Sequence, residues 1–461
     1  MFVGRERELA KLQSMYSSNR FEMPVFYGRR RVGKTTLITE FCKGKKAIYY
    51  QAIKATPKTN LDGLSNAVWQ VLMPGQEMPP FTSLEQLLKY VTDQAQHERL
   101  ILVIDEYPYW AENDASISSV LQSSIDHQML DSKLFLILCG SSMSFMENQV
   151  LGYKSPLYGR RTAQFKVQPF TFFEARQMLK GFKPEDQAIL YGCTGGIPLY
   201  MHDVDPRKTV DENIVDMFFD PVGRMFEEPG NLLKQELNNP AVYQTLLQAI
   251  AGGASRLNEL AQAISKETAA TTAYVNQLIE LGIVVKETPV TEKPGRKTIY
   301  SLCDSMFRFW YSYVMPGLSL ISAGHGSIFY QQRVKPDLSN FMGHVFEQIA
   351  HDHIMLLMGE GKLPVLFTEI GRWWGTDPRQ KTQTEIDIMA DGGDAAIFAE
   401  CKWKNELTSL SVLETLQYRS ELFPKKKAHL YLYSKSGFSD TCISKAADIG
   451  ATLITFSDMC E

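Results

Sequence analysis

The chain has 461 residues, 44% of them hydrophobic and 22% charged, a composition near the globular average that predicts two or three folded domains and excludes a disordered or collagen-like chain. Its 48 Lys and Arg against 52 Asp and Glu leave a net charge of −4, which excludes attraction to nucleic acid by total charge and requires local patches for any such contact. Seven scattered cysteines without a C-x-x-C pair argue against a disulfide framework and a zinc site, and the charged start MFVGRERELAKL, with no long apolar run anywhere, predicts a cytoplasmic protein that does not enter a membrane.

The first predicted strand, 24–27, runs into Gly28-Arg29-Arg30-Arg31-Val32-Gly33-Lys34-Thr35, which fits G-x-x-x-x-G-K-[ST] and opens an amphipathic helix at Thr36. Glycines let the backbone curl so that successive N–H groups face the phosphates of ATP, and the helix N-terminus adds partial positive charge. Lys34 would reach the β and γ phosphates and Thr35 would hold Mg²⁺.

Next comes Leu100-Ile101-Leu102-Val103-Ile104-Asp105-Glu106, a wholly apolar strand ending in two carboxylates, the Walker B pattern. A continuous apolar run predicts a central parallel strand covered on both faces, with ligands bound at its carboxyl end. Asp105 would coordinate Mg²⁺ through water and Glu106 would orient the attacking water. A further apolar strand, 134–139, ends in Gly140-Ser141-Ser142, where Ser141 or Ser142 could sense the γ-phosphate or simply make a turn. Arg160 and Arg161, in SPLYGRRTAQF, are a candidate arginine finger acting in cis or on a neighbouring subunit, which would make the protein a homo-oligomer; a solvated or salt-bridged pair is the alternative.

With FVGRERELAKL, GRRRVGKT, VIDEYPYW, the glycine-arginine segment and GGIPLY, residues 1–205 resemble the archaeal-type ATPases of the P-loop class, relatives of signal-transduction NTPases and origin-recognition AAA+ proteins. The resemblance implies that Phe2-Val3-Gly4-Arg5 packs near the adenine and that Gly196-Ile197-Pro198 begins a lid segment.

After a helical connector at 206–238 the pattern changes to three short helices and two β-rich runs around a Pro/Gly/charged turn, which together predict a winged helix over 239–305. In a DNA-binding reading the helix 271–281 enters the major groove while Lys293, Arg296 and Lys297 touch phosphates. Six Lys and Arg against five Asp and Glu between 239 and 303 leave a protein-docking role open.

Beyond a linker at 306–340, residues 384–405 read TEIDIMADGGDAAIFAECKWKN, two β runs around Asp391-Gly392-Gly393-Asp394. If Gly393-Asp394 is a two-residue loop, Asp387 stands across from Glu400 and Glu385 across from Lys402, and strict alternation puts all four on one face. Two carboxylates side by side call for a cation between them. Mg²⁺, or Mn²⁺, held by Asp387 and Glu400 with Lys402 beside it would suit phosphodiester hydrolysis; the bland alternative is a Glu385–Lys402 ion pair on an inactive fold. This segment resembles the PD-(D/E)xK nucleases, with Ile386 in place of the proline, over residues 341–461. The resemblance implies a supporting helical acid at Glu347 and a polar residue at Gln417. His344, Glu347 and His351 share a helical face, read as solvated.

The expected fold is therefore α/β and multidomain: a P-loop parallel sheet with helical lid, a winged helix-turn-helix, and a restriction-endonuclease-like α/β domain. The expected function is an ATP-hydrolysing switch coupled to a metal-dependent nuclease on DNA. The alternative is an ATP-gated DNA-binding, scaffold or signalling protein whose nuclease fold is inactive.

Overall fold

The computed structural model describes residues 2–461 and divides into two compact units, one made of the chain up to Phe170 with Ile197–Leu199, the other of Thr171–Gly196 with Tyr200–Glu461. The first is built on five parallel strands, β1 (Pro24–Tyr27), β2 (Ala47–Gln51), β3 (Leu100–Asp105), β4 (Leu134–Gly140) and β5 (Ala163–Lys166), in the order β2-β3-β4-β1-β5. The runs LILVID and LFLILCG are buried at every position, as their unbroken apolar character requires of central strands. Because all five strands are parallel, the loops after β1, β3 and β4 emerge at one edge. That topology brings the phosphate loop, Asp105-Glu106 and Ser141 together.

The second unit begins with helices, among them Val210–Phe218 and Arg224–Glu236, followed by Pro240–Ala251, Leu257–Ala263, Thr268–Glu280 and the antiparallel pair β6 (Val284–Glu287) and β7 (Ile299–Leu302). The stretch 306–340, expected as a linker, is instead helical through most of its length. Its aromatic run buries Phe307, Phe309, Trp310 and Tyr311, an apolar load that cannot be left in water.

The helix Leu338–Gly359 leads into a five-stranded sheet of β8 (Glu369–Thr376), β9 (Gln383–Asp391), β10 (Ala395–Lys402), β11 (Lys427–Ser434) and β12 (Thr452–Thr455), ordered β12-β11-β10-β9-β8. Strands β10, β11 and β12 are parallel; β9 runs against both of its neighbours. The β9–β10 register is the expected one, with Ile388 opposite Ala399 and Asp391 opposite Ala396, and Gly392 N–H bonds Ala395 O at 3.0 Å to close the Gly393-Asp394 loop.

The β6–β7 connection, expected to reach nucleic acid, is docked on this sheet. Val290, 2% exposed, belongs to the apolar cluster of Trp373, Ile386, Met389, Phe398, Leu413 and Leu416, and its N–H bonds Arg372 O of β8 at 3.1 Å. Thr291 N–H adds a bond to Glu369 Oε2 at 3.2 Å. Val290→Asp, which would bury an unpaired charge, should cost about 3 kcal/mol of the second unit's stability, whereas exposed Lys293→Ala should cost less than about 0.5 kcal/mol. Urea midpoints of the two variants would show whether this anchor exists; equal midpoints would remove it.

Candidate functional site

At the carboxyl edge of the first sheet the phosphate loop turns at two glycines. Gly28 lies so close to β5 that a Cβ there would stand 2.3 Å from Val167 O, and Gly33 has φ +91°, both conditions that only glycine meets without strain. Arg31 also takes a left-handed conformation, φ 71°. Lys34 is buried, its ammonium donating to Gly28 O at 2.8 Å and Arg29 O at 3.0 Å. Val32 is fully buried, Arg29 nearly so, and Arg30 donates to Tyr109 Oη at 2.5 Å; Thr36, the third residue of the helix Lys34–Cys42, is exposed.

Thr35 Oγ1 donates to Asp105 Oδ2 at 2.8 Å, and Asp105, with no exposed surface, also accepts Glu106 N–H on Oδ1 at 2.9 Å. A hydroxyl beside a buried carboxylate is an all-oxygen donor set of the kind that suits Mg²⁺. Glu106 sits at φ 50°, and its Oε2 accepts both the N–H (3.1 Å) and the hydroxyl (2.8 Å) of Ser141. The structure thus joins the two carboxylates, the threonine and the serine that the sequence singled out. It also supplies a group that the sequence did not flag. Tyr49 of β2 donates its hydroxyl to Asp105 Oδ2 at 2.5 Å, and burial, followed by the carboxylate itself, pushes its phenol far up.

The opening segment packs behind the loop. Phe2 and Val3 are half-buried, while the guanidinium of buried Arg5 lies 4.6 Å from the centre of the Phe170 ring and donates to Val32 O at 3.3 Å. Pro198 stands over the end of the loop, its Cγ 3.9 Å from where a Gly33 Cβ would lie.

Arg160 and Arg161 are not with these groups. They precede β5, whose first residue pairs with the first residue of β1, whereas the phosphate loop follows the last, so the pair lies at the amino edge of the sheet. Action in cis is thereby excluded: the parallel strands stand between them, roughly 13 Å of extended chain. Arg160 grips Asp126 through two bonds, 2.8 and 2.6 Å, and Arg161 donates to Leu151 O at 3.3 Å; both line a cavity of about 570 Å³ with Arg20 and Tyr158.

The second constellation lies in the mixed sheet. Asp387 Oδ2 accepts Cys401 N–H at 2.9 Å, which sets it beside Glu400, and burial together with the Glu400 and Glu347 carboxylates pushes its carboxyl up to about 7. Glu400, 9% exposed, accepts Lys402 Nζ on Oε1 at 2.7 Å and Arg419 Nη1 on Oε2 at 3.0 Å. Lys402 is held above its ordinary value because Glu400 and Asp387 outweigh its burial. Glu347, half-buried, is pulled below the usual carboxylate range: burial opposes this, but His344, at 3.5 Å, and then Arg372 and Arg308 prevail. His351 meets Asp352 instead, at 3.4 Å.

Glu385 is the correction. It does not face Lys402; it is 56% exposed and pairs with Arg372 at 3.3 Å. Between Gly371↔Met389 and Trp373↔Ile386, β8 advances two residues and β9 three, so β9 bulges around Asp387 and strict alternation fails there. Ile386 consequently joins the cluster containing Leu413 and Leu416, and Glu385 points the other way. On the helix Leu410–Ser420, Gln417 is half-buried, and it is Arg419, two residues on, that reaches Glu400. A cation one turn past Leu416 on that helix was the readable signal.

Among the described residues, no group of three or more His, Cys, Asp or Glu stands close enough to hold a metal ion alone. Asp387 and Glu400 are the carboxylates that meet in the mixed sheet, and both oxygens of Glu400 are paired, one with Lys402 and one with Arg419. The raised Asp387 predicts a pH-dependent cost. Below about pH 4 the carboxyl is protonated folded or unfolded; as pH rises through about 7 the folded chain must give up a proton it holds more tightly, so stability falls. In chelator, Asp387→Asn should therefore raise the melting temperature by about 2 °C or more at about pH 8 and by much less at about pH 5. A gain independent of pH would contradict the crowding.

Two family models match the chain: one of an ATPase domain predominantly from Archaea, over residues 2–204, and one of archaeal and bacterial proteins of unknown function, over residues 310–415. An uncharacterized protein of Methanocaldococcus jannaschii is 33% identical over 412 residues, covering 88% of this chain and 88% of its own. An uncharacterized ATP-binding protein of Pyrococcus abyssi is 25% identical over 242 residues, 44% of this chain and 71% of its own. Among solved structures, a Walker-type ATPase of Pyrococcus abyssi matches 67% of this chain and 96% of its own with a TM-score of 0.52 at 19% identity, a likeness of fold. No described helix is long and apolar enough to cross a membrane.

Proposed function

This chain belongs to the family of that Methanocaldococcus jannaschii protein, with an N-terminal ATPase domain of the kind found predominantly in Archaea, and we propose that its ATP cycle controls a metal-dependent DNA-cleaving site in the C-terminal sheet. The observation that carries the second half is the meeting of Asp387 and Glu400 beside Lys402, with Asp387 crowded up to about 7.

ATP binding and hydrolysis rest on the phosphate loop and the carboxylates of β3. Lys34 and the loop N–H groups neutralise the phosphates, Phe2 and Val3 border the base, and Pro198 closes over the loop. Mg²⁺, when bound through Thr35 and Asp105, would offset charge developing on the phosphates. Glu106 then orients the water, for which Ser141 must release its Oε2. Arg160 and Arg161, on the far edge of the sheet, would complete only a neighbouring subunit's site, which implies assembly on ATP. Sedimentation with a non-hydrolysable analogue checks this, and a monomer at high concentration would count against it.

In the C-terminal unit, Mg²⁺ or Mn²⁺ between Asp387 and Glu400 would polarise a phosphodiester, Lys402 would orient the water, and Glu347 and Arg419 would hold the surrounding charge. Residues 239–305 read as a winged helix whose wing is anchored on β8, so DNA contact, where it occurs, falls to the helix 268–280 rather than to Val290 and its neighbours.

The test is incubation of supercoiled and branched DNA with the protein in Mg²⁺ or Mn²⁺, with and without ATP. Cleavage that needs metal and responds to Lys34→Ala supports the reading. A second reading, an ATP-gated binding or scaffold protein, is favoured by Glu400 having both oxygens committed to Lys402 and Arg419 and by seventeen acids against twelve Lys and Arg from residue 341 on. ATP hydrolysis without cleavage in any condition would select it.

A further inference from the structure

We infer that Tyr49 is a positioning residue of the ATP site, holding Asp105 oriented toward the metal that Thr35 would ligate. The inference rests on the ATPase reading. Tyr49 lies on β2, paired with Val103 of β3, two residues before the pair Gln51↔Asp105. From there its hydroxyl reaches forward to Asp105 Oδ2 at 2.5 Å.

Several donors converge on Asp105: Glu106 N–H on Oδ1 at 2.9 Å, Thr35 Oγ1 at 2.8 Å with Tyr49 Oη on Oδ2, and the buried Cys139 thiol of β4. A carboxylate with no exposed surface cannot draw replacement bonds from bulk water, so its orientation depends on these donors. Their roles differ. Glu106 N–H is the next backbone group along and moves with Asp105. Thr35 is the hydroxyl that would ligate Mg²⁺ through an oxygen lone pair while its O–H still donates to Oδ2. Tyr49 and Cys139 reach the carboxylate from the flanking strands β2 and β4, and the phenol is the stronger donor of the two. Tyr49 therefore keeps the carboxylate from rotating, and a carboxylate already aimed binds the metal's shell without an ordering cost.

The neighbouring Tyr50 provides an internal control. It sits on the same strand and spends its hydroxyl on Asn60 Oδ1 at 2.8 Å, away from the carboxylate. Removing either hydroxyl deletes one hydrogen bond from β2; only one of them touches Asp105.

The experiment titrates Mg²⁺ into the full chain with mant-ATP, following the probe's fluorescence, for the parent, Tyr49→Phe, Tyr50→Phe and Lys34→Ala. Tyr49→Phe should raise the Mg²⁺ concentration for half-maximal binding about tenfold while leaving mant-ATP affinity in chelator within about twofold of the parent. Tyr50→Phe should change neither. A Tyr49→Phe titration that overlays the parent's overturns the inference, as does a metal-free affinity lost equally in both phenylalanine variants, which would mark a strand weakened as a whole. A parent that fails to bind mant-ATP, or binds it no better than Lys34→Ala, instead brings down the ATP-site reading and this inference with it.

Discussion

Glu106→Gln should bind ATP as tightly as the parent chain and hydrolyse it about a hundred- to ten-thousandfold more slowly. The substitution preserves shape, and glutamine's Oε1 can still accept the two Ser141 bonds that hold Glu106 Oε2, so the left-handed turn after β3 should survive. What disappears is the negative charge proposed to orient the attacking water and draw a proton from it. Phosphate release at saturating ATP, paired with equilibrium binding of the nucleotide, separates this loss from the one expected of Lys34→Ala, where binding itself should fail because the buried ammonium proposed to meet the phosphates is gone. Hydrolysis at the parent rate in Glu106→Gln would place the catalytic carboxylate elsewhere.

The second large effect concerns the mixed sheet. If the proposed cleavage occurs, Asp387→Ala should lower its rate by about a thousandfold or more, because one of the two carboxylates proposed to hold the cation is removed. Lys402→Ala should act in the same direction, and its Glu400 partner would keep only the Arg419 bond. Glu385→Ala is the discriminating control. Simple alternation along β9 groups Glu385 with Asp387, yet the bulge turns it toward Arg372 and solvent, so cleavage should persist in that variant. Equal losses in Asp387→Ala and Glu385→Ala would mean that the bulge does not separate them.

The phosphate loop was readable because its chemistry is compressed into eight consecutive residues between an apolar strand and a helix, and the β3 carboxylates because an unbroken apolar run announces a central strand. The β9–β10 register was readable for the same reason, since a two-residue Gly-Asp loop dictates the pairing on either side of it. Glu385 was misplaced because a bulge depends on how β8 pairs with β9, across a loop whose residues carry no mark of it. Arg419 and Tyr49 escaped notice because an arginine on a helix and a tyrosine on a strand are ordinary until a particular carboxylate is packed against them. The turn after β6, which reads as a charged loop destined for solvent, contains in Val290 one apolar side chain with a place in the core of the sheet.

The sequence by itself determined the elements whose partners lie within a few residues: the loop that curls for phosphate, the strands and the hairpin register that sets Ile388 opposite Ala399. Only the tertiary structure decided which side chain completes each site, that Arg160 and Arg161 stand at the far edge from the phosphate loop, and that Tyr49 donates to Asp105 beside Thr35. The physical reason is that periodicity and turn chemistry are local properties of the backbone, whereas the orientation of a buried carboxylate is set by donors that only the packing of distant segments brings within hydrogen-bonding distance.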